Sequence, residues 1–509
     1  MNILQVTGFP NNGAGSGTLI TTQAEGFVKQ GHNICTILSE NRTDFPRVPG
    51  VKYHLVPFTA ENGTPEKIEG QLDFNFPMFT THTRSTSTFW NLNLDQIKAI
   101  EEKYRQAIDE EIKSFKPDVI HGQHNWIHNA IATESGIPTV VTIHGTDLMG
   151  YKRSLDTLKE LRAKLKEGNL SNEELQELKA EADKYFHLVE MAKKSAKNSQ
   201  RVIVISEDQR KQFCELFPDD ADKVVLVKNG YNPDVFHVME DVDKDTLFDS
   251  LTSDRSEDGK LPKDYDNMAL FVGKFADFKG IDVLLDATKK NEEACQKEGK
   301  KLLTVVVGTG ALEPELKAQA EELGLKNLHF VGLQGHDVIR QLQNLADISV
   351  VPSRKEPFGL VVIEGTACGH PVVATNSGGI PDIMNTTGKT IKENYDPETD
   401  SQDQSILAPN PGTKGTYTTD LGMLVPVDDS DELSGAMMDI FDGRVTFDND
   451  AIAKYTEDTY SQEAINTELL DIFSQAVKSY EQKASGQNGD EEVRFPQRAS
   501  GGPSLDDDL

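Results

Sequence analysis

Two glutamates, Glu356 and Glu364, close the two ends of the run EPFGLVVIE inside residues 349–382, SVVPSRKEPFGLVVIEGTACGHPVVATNSGGIPD. The pattern reads as strand, loop, helix, strand and glycine turn, so Glu356 falls in the loop before the helix and Glu364 within it. The first turn of a helix offers unpaired N–H groups and a partial positive charge to a phosphate, and carboxylates accept hydrogen bonds from sugar hydroxyls. That combination suits a phosphorylated sugar. Lys274 and Lys279 bracket a loop after another apolar run. Paired lysines at a strand end can neutralise a diphosphate where a metal would otherwise be needed. His144, in the run TIHGTD at residues 142–147, ends a further predicted strand, where open α/β sheets hold their ligands. A histidine there is by itself more often structural, and it gains weight from the lysines and glutamates.

Other motifs resolve less. Gly13, Gly15 and Gly17, in a loop between a strand at residues 2–7 and a helix at 18–30, would let the backbone approach a phosphate. A dinucleotide fingerprint needs its third glycine at Thr18, although Glu40 stands near the end of the second strand, so a nicotinamide oxidoreductase rests on the glycine loop alone. Gly388, Lys389 and Thr390 imitate the end of a P-loop, but its leading glycine would have to stand at Ile383. His121, His124 and His128 lack the carboxylate or cysteine frame of a metal site, and no metal is expected. The stretch at residues 70–93 carries Phe74, Phe76, Phe79, Arg84, Phe89 and Trp90. It could bind an acceptor or pack on a sheet.

These residues need elements to position them, and the chain supplies strands and helices in alternation. Strands are predicted at residues 33–38, 51–56, 118–121, 139–143, 201–205, 224–227, 269–272, 302–307 and 421–427, with helices between them. Such alternation implies parallel sheets with helices on both faces. At 509 residues two large domains are expected. The first spans residues 1–232, with a helical hairpin insert at about 151–195 that breaks at Gly168 and Asn169 and carries a capping box at Ser171 and Glu174. The second spans 233–455, with an acidic insert or linker at about 240–267 and a long polar loop at about 385–420. An amphipathic helix follows at 456–484, its apolar face made by Ile465, Leu469, Ile472, Phe473, Ala476, Val477 and Tyr480, and residues 485–509 read as a disordered tail.

Composition narrows the partners. A net charge of −31 disfavours nucleic acid and anionic membrane surfaces. No apolar run is long enough to cross a bilayer and the first residues read as a buried strand rather than a signal peptide, so an integral membrane protein is not expected and a cytoplasmic location is. Four scattered cysteines favour neither a disulfide frame nor zinc.

Glu356-Pro357-Phe358-Gly359-Leu360 through Glu364, followed by Gly378-Gly379-Ile380-Pro381-Asp382 and preceded by Gly273 and Lys279-Gly280, resembles the retaining glycosyltransferases of family 4. The resemblance extends through residues 142–147, 227–236 and 308–315 and the first glycine loop. It implies the GT-B architecture, two Rossmann-like α/β domains facing across a cleft, with a C-terminal helix crossing back to the first. It further implies transfer of a sugar from a nucleotide-diphosphate sugar to a sugar, lipid or small-molecule acceptor, with retention and without a metal. A uridine diphosphate sugar is favoured over guanosine or adenosine. By this resemblance His144, Lys279 and Glu356 would be catalytic. Gly15, Lys274, Lys279, Glu356, Phe358, Gly359, Leu360, Val361 and Glu364 would hold the donor, and Asn12, Arg84 and Trp90 would lie on the acceptor side. Lys274 stands where the family commonly has arginine, keeping the charge and losing the bidentate fork. A disaccharide phosphorylase of the same architecture and a non-catalytic binder of sugar nucleotides are the alternatives.

Overall fold

The structure is a computed structural model that describes residues 1–11, 15–60, 68–80, 84–167, 170–253, 259–392 and 394–486. Seven strands form the first sheet: β1 (Asn2–Val6), β2 (Asn33–Glu40), β3 (Val51–Pro57), β4 (Val119–Gln123), β5 (Thr139–Thr142), β6 (Arg201–Val204) and β7 (Val224–Leu226). All pair in parallel in the order β3-β2-β1-β4-β5-β6-β7. β1, β4 and β5 are buried along nearly their whole length, as a sheet covered on both faces requires.

The second sheet repeats the plan with β8 (Asn267–Val272), β9 (Leu302–Val307), β10 (Leu328–Phe330), β11 (Ile348–Val351), β12 (Val372–Thr375), β13 (Tyr417–Thr419) and β14 (Gly422–Val425). Its order is β10-β9-β8-β11-β12-β14-β13, parallel except where β13 runs antiparallel to β14. In each sheet the order of the parallel strands reverses at one place, between β1 and β4 and between β8 and β11. A doubly wound sheet opens a crevice beyond the carboxyl ends of the strands at such a point. The two Rossmann-like units turn these crevices towards one another, which is the GT-B arrangement the sequence led us to expect.

The chain passes between the units twice, and the passages pair: Tyr231 N–H donates to Tyr460 O and Gln462 N–H to Tyr231 O, both at 2.9 Å. The helix Gln462–Gly486 then lies back on the first unit. Ile465, Leu469, Phe473 and Ala476 join Ile3, Ala24, Phe27, Val119 and Val140 in one buried cluster. Phe473 is completely buried, its ring centroid 5.9 Å from Phe27 and 4.9 Å from His121.

Three expectations change. The acidic stretch at 240–267 is not a bare linker: Lys244–Ser250 is helical and buries Leu247 and Phe248, two apolar residues too few to show a period. The first helix begins at Gly15 rather than Thr18, so Gly15 and Gly17 are helical and the loop is shorter. The hairpin starts earlier, with helices Thr146–Glu167 and Asn172–Asn198, so its base lies two residues beyond His144. The capping box at its second helix is present, Ser171 N–H donating to Glu174 Oε2 at 2.8 Å. Asn12, Gly13, the break at Gly168 and Asn169, and the tail beyond residue 486 lie outside the described residues.

Truncating Phe473 to alanine empties a fully buried aromatic site and should destabilise the protein by about 3–5 kcal/mol. Chemical denaturation followed by tryptophan fluorescence reads it through Trp126, buried in the first unit.

Candidate active site

A cavity of about 370 Å³ lies between the two crevices, with Phe9, Leu19, Met78, Phe79, His124 and His144 on one side and Lys279 and Glu356 to Val361 on the other. The second unit supplies the charge. Lys279 ends a short turn, Asp277–Lys279, after β8, and Glu356 lies in the loop after β11. Lys279 Nζ donates to Glu356 Oε2 at 2.5 Å. Beyond them the helix Leu360–Ala367 opens on Gly359, whose φ of 113° is a left-handed conformation that favours glycine. Phe358, Gly359, Leu360 and Val361 therefore present the unpaired end of a helix to the same cavity as Lys279.

Close backbone approaches hold these loops. A Cβ on Gly378 would fall 1.9 Å from the Glu356 carbonyl oxygen, and Gly379 N–H donates to that oxygen at 2.9 Å. A Cβ on Gly280 would fall 2.1 Å from Pro352 O. Arg354, which the sequence reading passed over, straps the two loops together. It grips Asp282 with both guanidinium ends at 3.0 and 2.5 Å, reaches Asp428 Oδ1 at 2.6 Å, and donates to Asp277 O at 2.6 Å. No local signal marks it, because its partners come from two distant places, the turn and helix start at residues 277–282 and the loop after β14.

The facing wall is neutral. His144 Nε2 donates to Gln123 Oε1 at 2.7 Å, and Gln123 Nε2 donates to His121 at 3.2 Å, which fixes the His144 tautomer and leaves Nδ1 as its acceptor. Asp147, buried in the first turn of the hairpin, accepts from Asn125 N–H at 2.8 Å and His144 N–H at 3.2 Å, tying the ends of β4 and β5 together. Desolvation pushes His121, His124, His128 and His144 down to about 3 and pushes the Asp147 carboxyl up. His124 has φ of 71°, lines the cavity, and sits with its ring centroid 4.6 Å from that of His144. A Cβ on Gly145 would stand 3.5 Å from Pro357, so the His144 and Glu356 turns approach one another across the cleft.

Other singled-out residues fall elsewhere. Lys274 is exposed at the start of its loop and does not line the cavity. Glu364 lies a turn inside its helix, half-buried, and desolvation pushes it up to about 7. Gly15 opens the first helix, whose Leu19 reaches the cavity. Arg84 pairs with the fully buried Glu40 and donates to Asn41 Oδ1 at 2.6 Å. That pair occupies the carboxylate that stands near the end of the second strand. Trp90 donates to Phe79 O at 3.1 Å and stacks on Tyr185, so this stretch packs on its own unit, with Met78, Phe79 and Thr80 reaching the cavity. Among the described residues no group of three His, Cys, Asp or Glu side chains has metal-holding geometry.

The fold and the cleft define a GT-B protein, and comparisons with known proteins agree. The model described as Glycosyltransferase Family 4 matches residues 13–235, and that described as Glycosyl transferases group 1 matches residues 253–402. An uncharacterized glycosyltransferase of Methanocaldococcus jannaschii, MJ1607, is 28% identical over 274 residues, 53% of this chain and 60% of the relative. A D-inositol 3-phosphate glycosyltransferase of Thermomonospora curvata is 34% identical over 186 residues, 35% of this chain and 42% of the relative. The chain thus spans less than two thirds of the length of these curated relatives. Sucrose-phosphate synthase from Thermosynechococcus elongatus superposes with a TM-score of 0.59 at 18% identity, covering 94% of this chain and 99% of that one. Anabaena HepE does so at 0.55 and 15%, covering 93% and 99%. At these identities the structural likeness is one of fold. The two models fall on the two Rossmann-like units, so the chain is similar to glycosyltransferases of the family-4 kind in both halves of the GT-B fold.

The buried imidazoles predict a pH dependence. Each has a folded value of about 3 against an ordinary 6.5, so between these values the unfolded chain binds more protons. Their contribution is fully present above pH 6.5 and is lost as the pH falls towards 3. The denaturant midpoint should fall over that window, and His128→Phe should flatten the fall.

Proposed function

We propose that this protein is a hexosyltransferase that moves a sugar from a nucleotide-diphosphate sugar to an acceptor hydroxyl, with retention of configuration and without a metal. The observation that carries the reading is the meeting of Lys279, Glu356 and the helix start at Gly359 to Val361 in one cavity, opposite a neutral His144. The bond from the anomeric carbon to the diphosphate oxygen breaks, leaving negative charge on the diphosphate. The Lys279 ammonium and the N–H groups of that helix end stabilise this charge as it forms. Glu356, already bonded to Lys279, accepts from donor sugar hydroxyls and is not assigned as a nucleophile. The acceptor oxygen attacks from the face the diphosphate leaves, and the departing phosphate oxygen takes its proton. His144, neutral and oriented by Gln123, lies beside the transferring sugar.

The proposed donor contacts also include Gly15, Lys274 and, through the ribose, Glu364, reached when the donor extends past the 370 Å³ cavity. A uridine diphosphate sugar is the favoured donor; the similarly folded HepE was solved in complex with UDP and glucose. The location we propose is the cytoplasm, and no described helix is long and apolar enough to cross a membrane.

Incubation with uridine, guanosine and adenosine diphosphate sugars and a panel of acceptors, read by proton NMR, tests the reaction. Product with the donor's anomeric configuration, formed equally with and without EDTA, is expected. Inverted product, or phosphorolysis of a disaccharide by inorganic phosphate without any nucleotide, sinks the proposal. Lys279→Ala should weaken nucleoside-diphosphate binding by about ten- to a hundredfold, as loss of a charge-assisted contact does. Binding of the bare nucleoside should change little, and calorimetry distinguishes the two.

A further inference from the structure

The turn Gly378 to Asp382 holds Glu356 from within its own unit, and it also touches the other one. Asp382 Oδ2 accepts from Glu207 N–H at 2.7 Å, and Glu207 is the first residue of the helix Glu207–Leu216 in the first unit. Ser206 caps the same helix, its Oγ accepting from Gln209 N–H at 3.2 Å. Two of the unpaired N–H groups at this helix end are thus satisfied, one locally and one across the cleft. Burial raises the Asp382 carboxyl above the ordinary carboxylate range, the Glu207 N–H and Lys228 work against that, and the like charges of Glu207 and Asp208 add to it. Gly379 makes the approach possible: a Cβ there would fall 2.7 Å from Pro357 O and 3.0 Å from Ser206 Cβ. Behind the turn, Lys228 Nζ donates to Asp382 O and to Tyr460 OH, both at 2.9 Å, so both interdomain passages anchor on it.

One short turn therefore carries the Glu356 backbone at one end and the helix cap of the opposite unit at the other. We propose that Asp382 is a positioning residue that latches the two units, so that closure of the cleft and placement of the Glu356 loop occur together. The contact exists only while the units are closed, and opening the cleft strands the Glu207 N–H and shifts the turn that Glu356 O leans on. The latch assists catalysis only if the transferase reading above holds, whereas the contact itself is independent of any substrate.

The test compares wild type, Asp382→Ala and Asp382→Asn. Asparagine keeps an oxygen to accept from Glu207 and alanine keeps none. Hydrogen exchange of a peptide covering residues 206–210 reads the contact directly. Asp382→Ala should speed exchange there by about tenfold and Asp382→Asn should stay near wild type, the loss expected for one hydrogen bond to a charged acceptor. In turnover, Asp382→Ala should lower kcat by about tenfold with nucleoside-diphosphate affinity nearly unchanged, because Lys279 and the helix start at Gly359 to Val361, which hold the diphosphate, both belong to the second unit, and Asp382→Asn should restore kcat. Unchanged exchange in Asp382→Ala overturns the latch, as does equal impairment of both variants. If wild type turns over no nucleotide sugar, the transferase reading fails and the exchange measurement still decides the latch.

Discussion

A lysine and a glutamate 2.5 Å apart, both largely withdrawn from water, are stable only if each is held and its remaining hydrogen-bonding capacity is met. Lys279 and Glu356 come from loops after different strands, so neither loop can settle without the other. The rest of the second unit's crevice serves that requirement. Arg354 bridges the two loops through Asp282, Asp277 and Asp428, and Gly280 and Gly378 let backbones meet where a Cβ would collide. The pair is thus the local product of the β8 and β11 reversal, carried to the place where a ligand's charge would fall.

Across the cleft the logic inverts. The first unit offers buried, neutral imidazoles and apolar side chains, with His144 held by Gln123 and its backbone by Asp147. Charge lies on one wall of the cavity and neutrality on the other. Burial sets this division, since the histidines lose their protons to desolvation rather than to a partner.

How much was readable varied with how local the signal was. The alternation of strands and helices needs nothing beyond its own period, and both sheets follow it. Glu356 through Val361 was readable because a glycine with positive φ and a helix start are written in adjacent residues. The antiparallel β13 was missed because three residues inside a polar loop carry no pattern. Arg84 and Trp90 looked available in sequence, yet one neutralises Glu40 and the other packs on Tyr185. A cation or an aromatic ring in a loop does not disclose which buried group awaits it.

The sequence by itself determined the two Rossmann-like units, the crossing helix with its Phe473 face, and the residues that end the strands around the crevices. The strands, helices and apolar faces follow from periodicity, capping and glycine placement over a few residues, and the crossing of the last helix from the resemblance to family 4. Only the tertiary structure decided that Lys279 meets Glu356, that Arg354 braces them, that Lys274 stays outside the cavity, and that Asp382 reaches Glu207. Each of these joins residues far apart in the chain. The contacts of Lys279, Glu356 and Arg354 depend on which strands lie side by side in the second sheet, and that of Asp382 with Glu207 on how the two sheets turn towards one another, which no local pattern records.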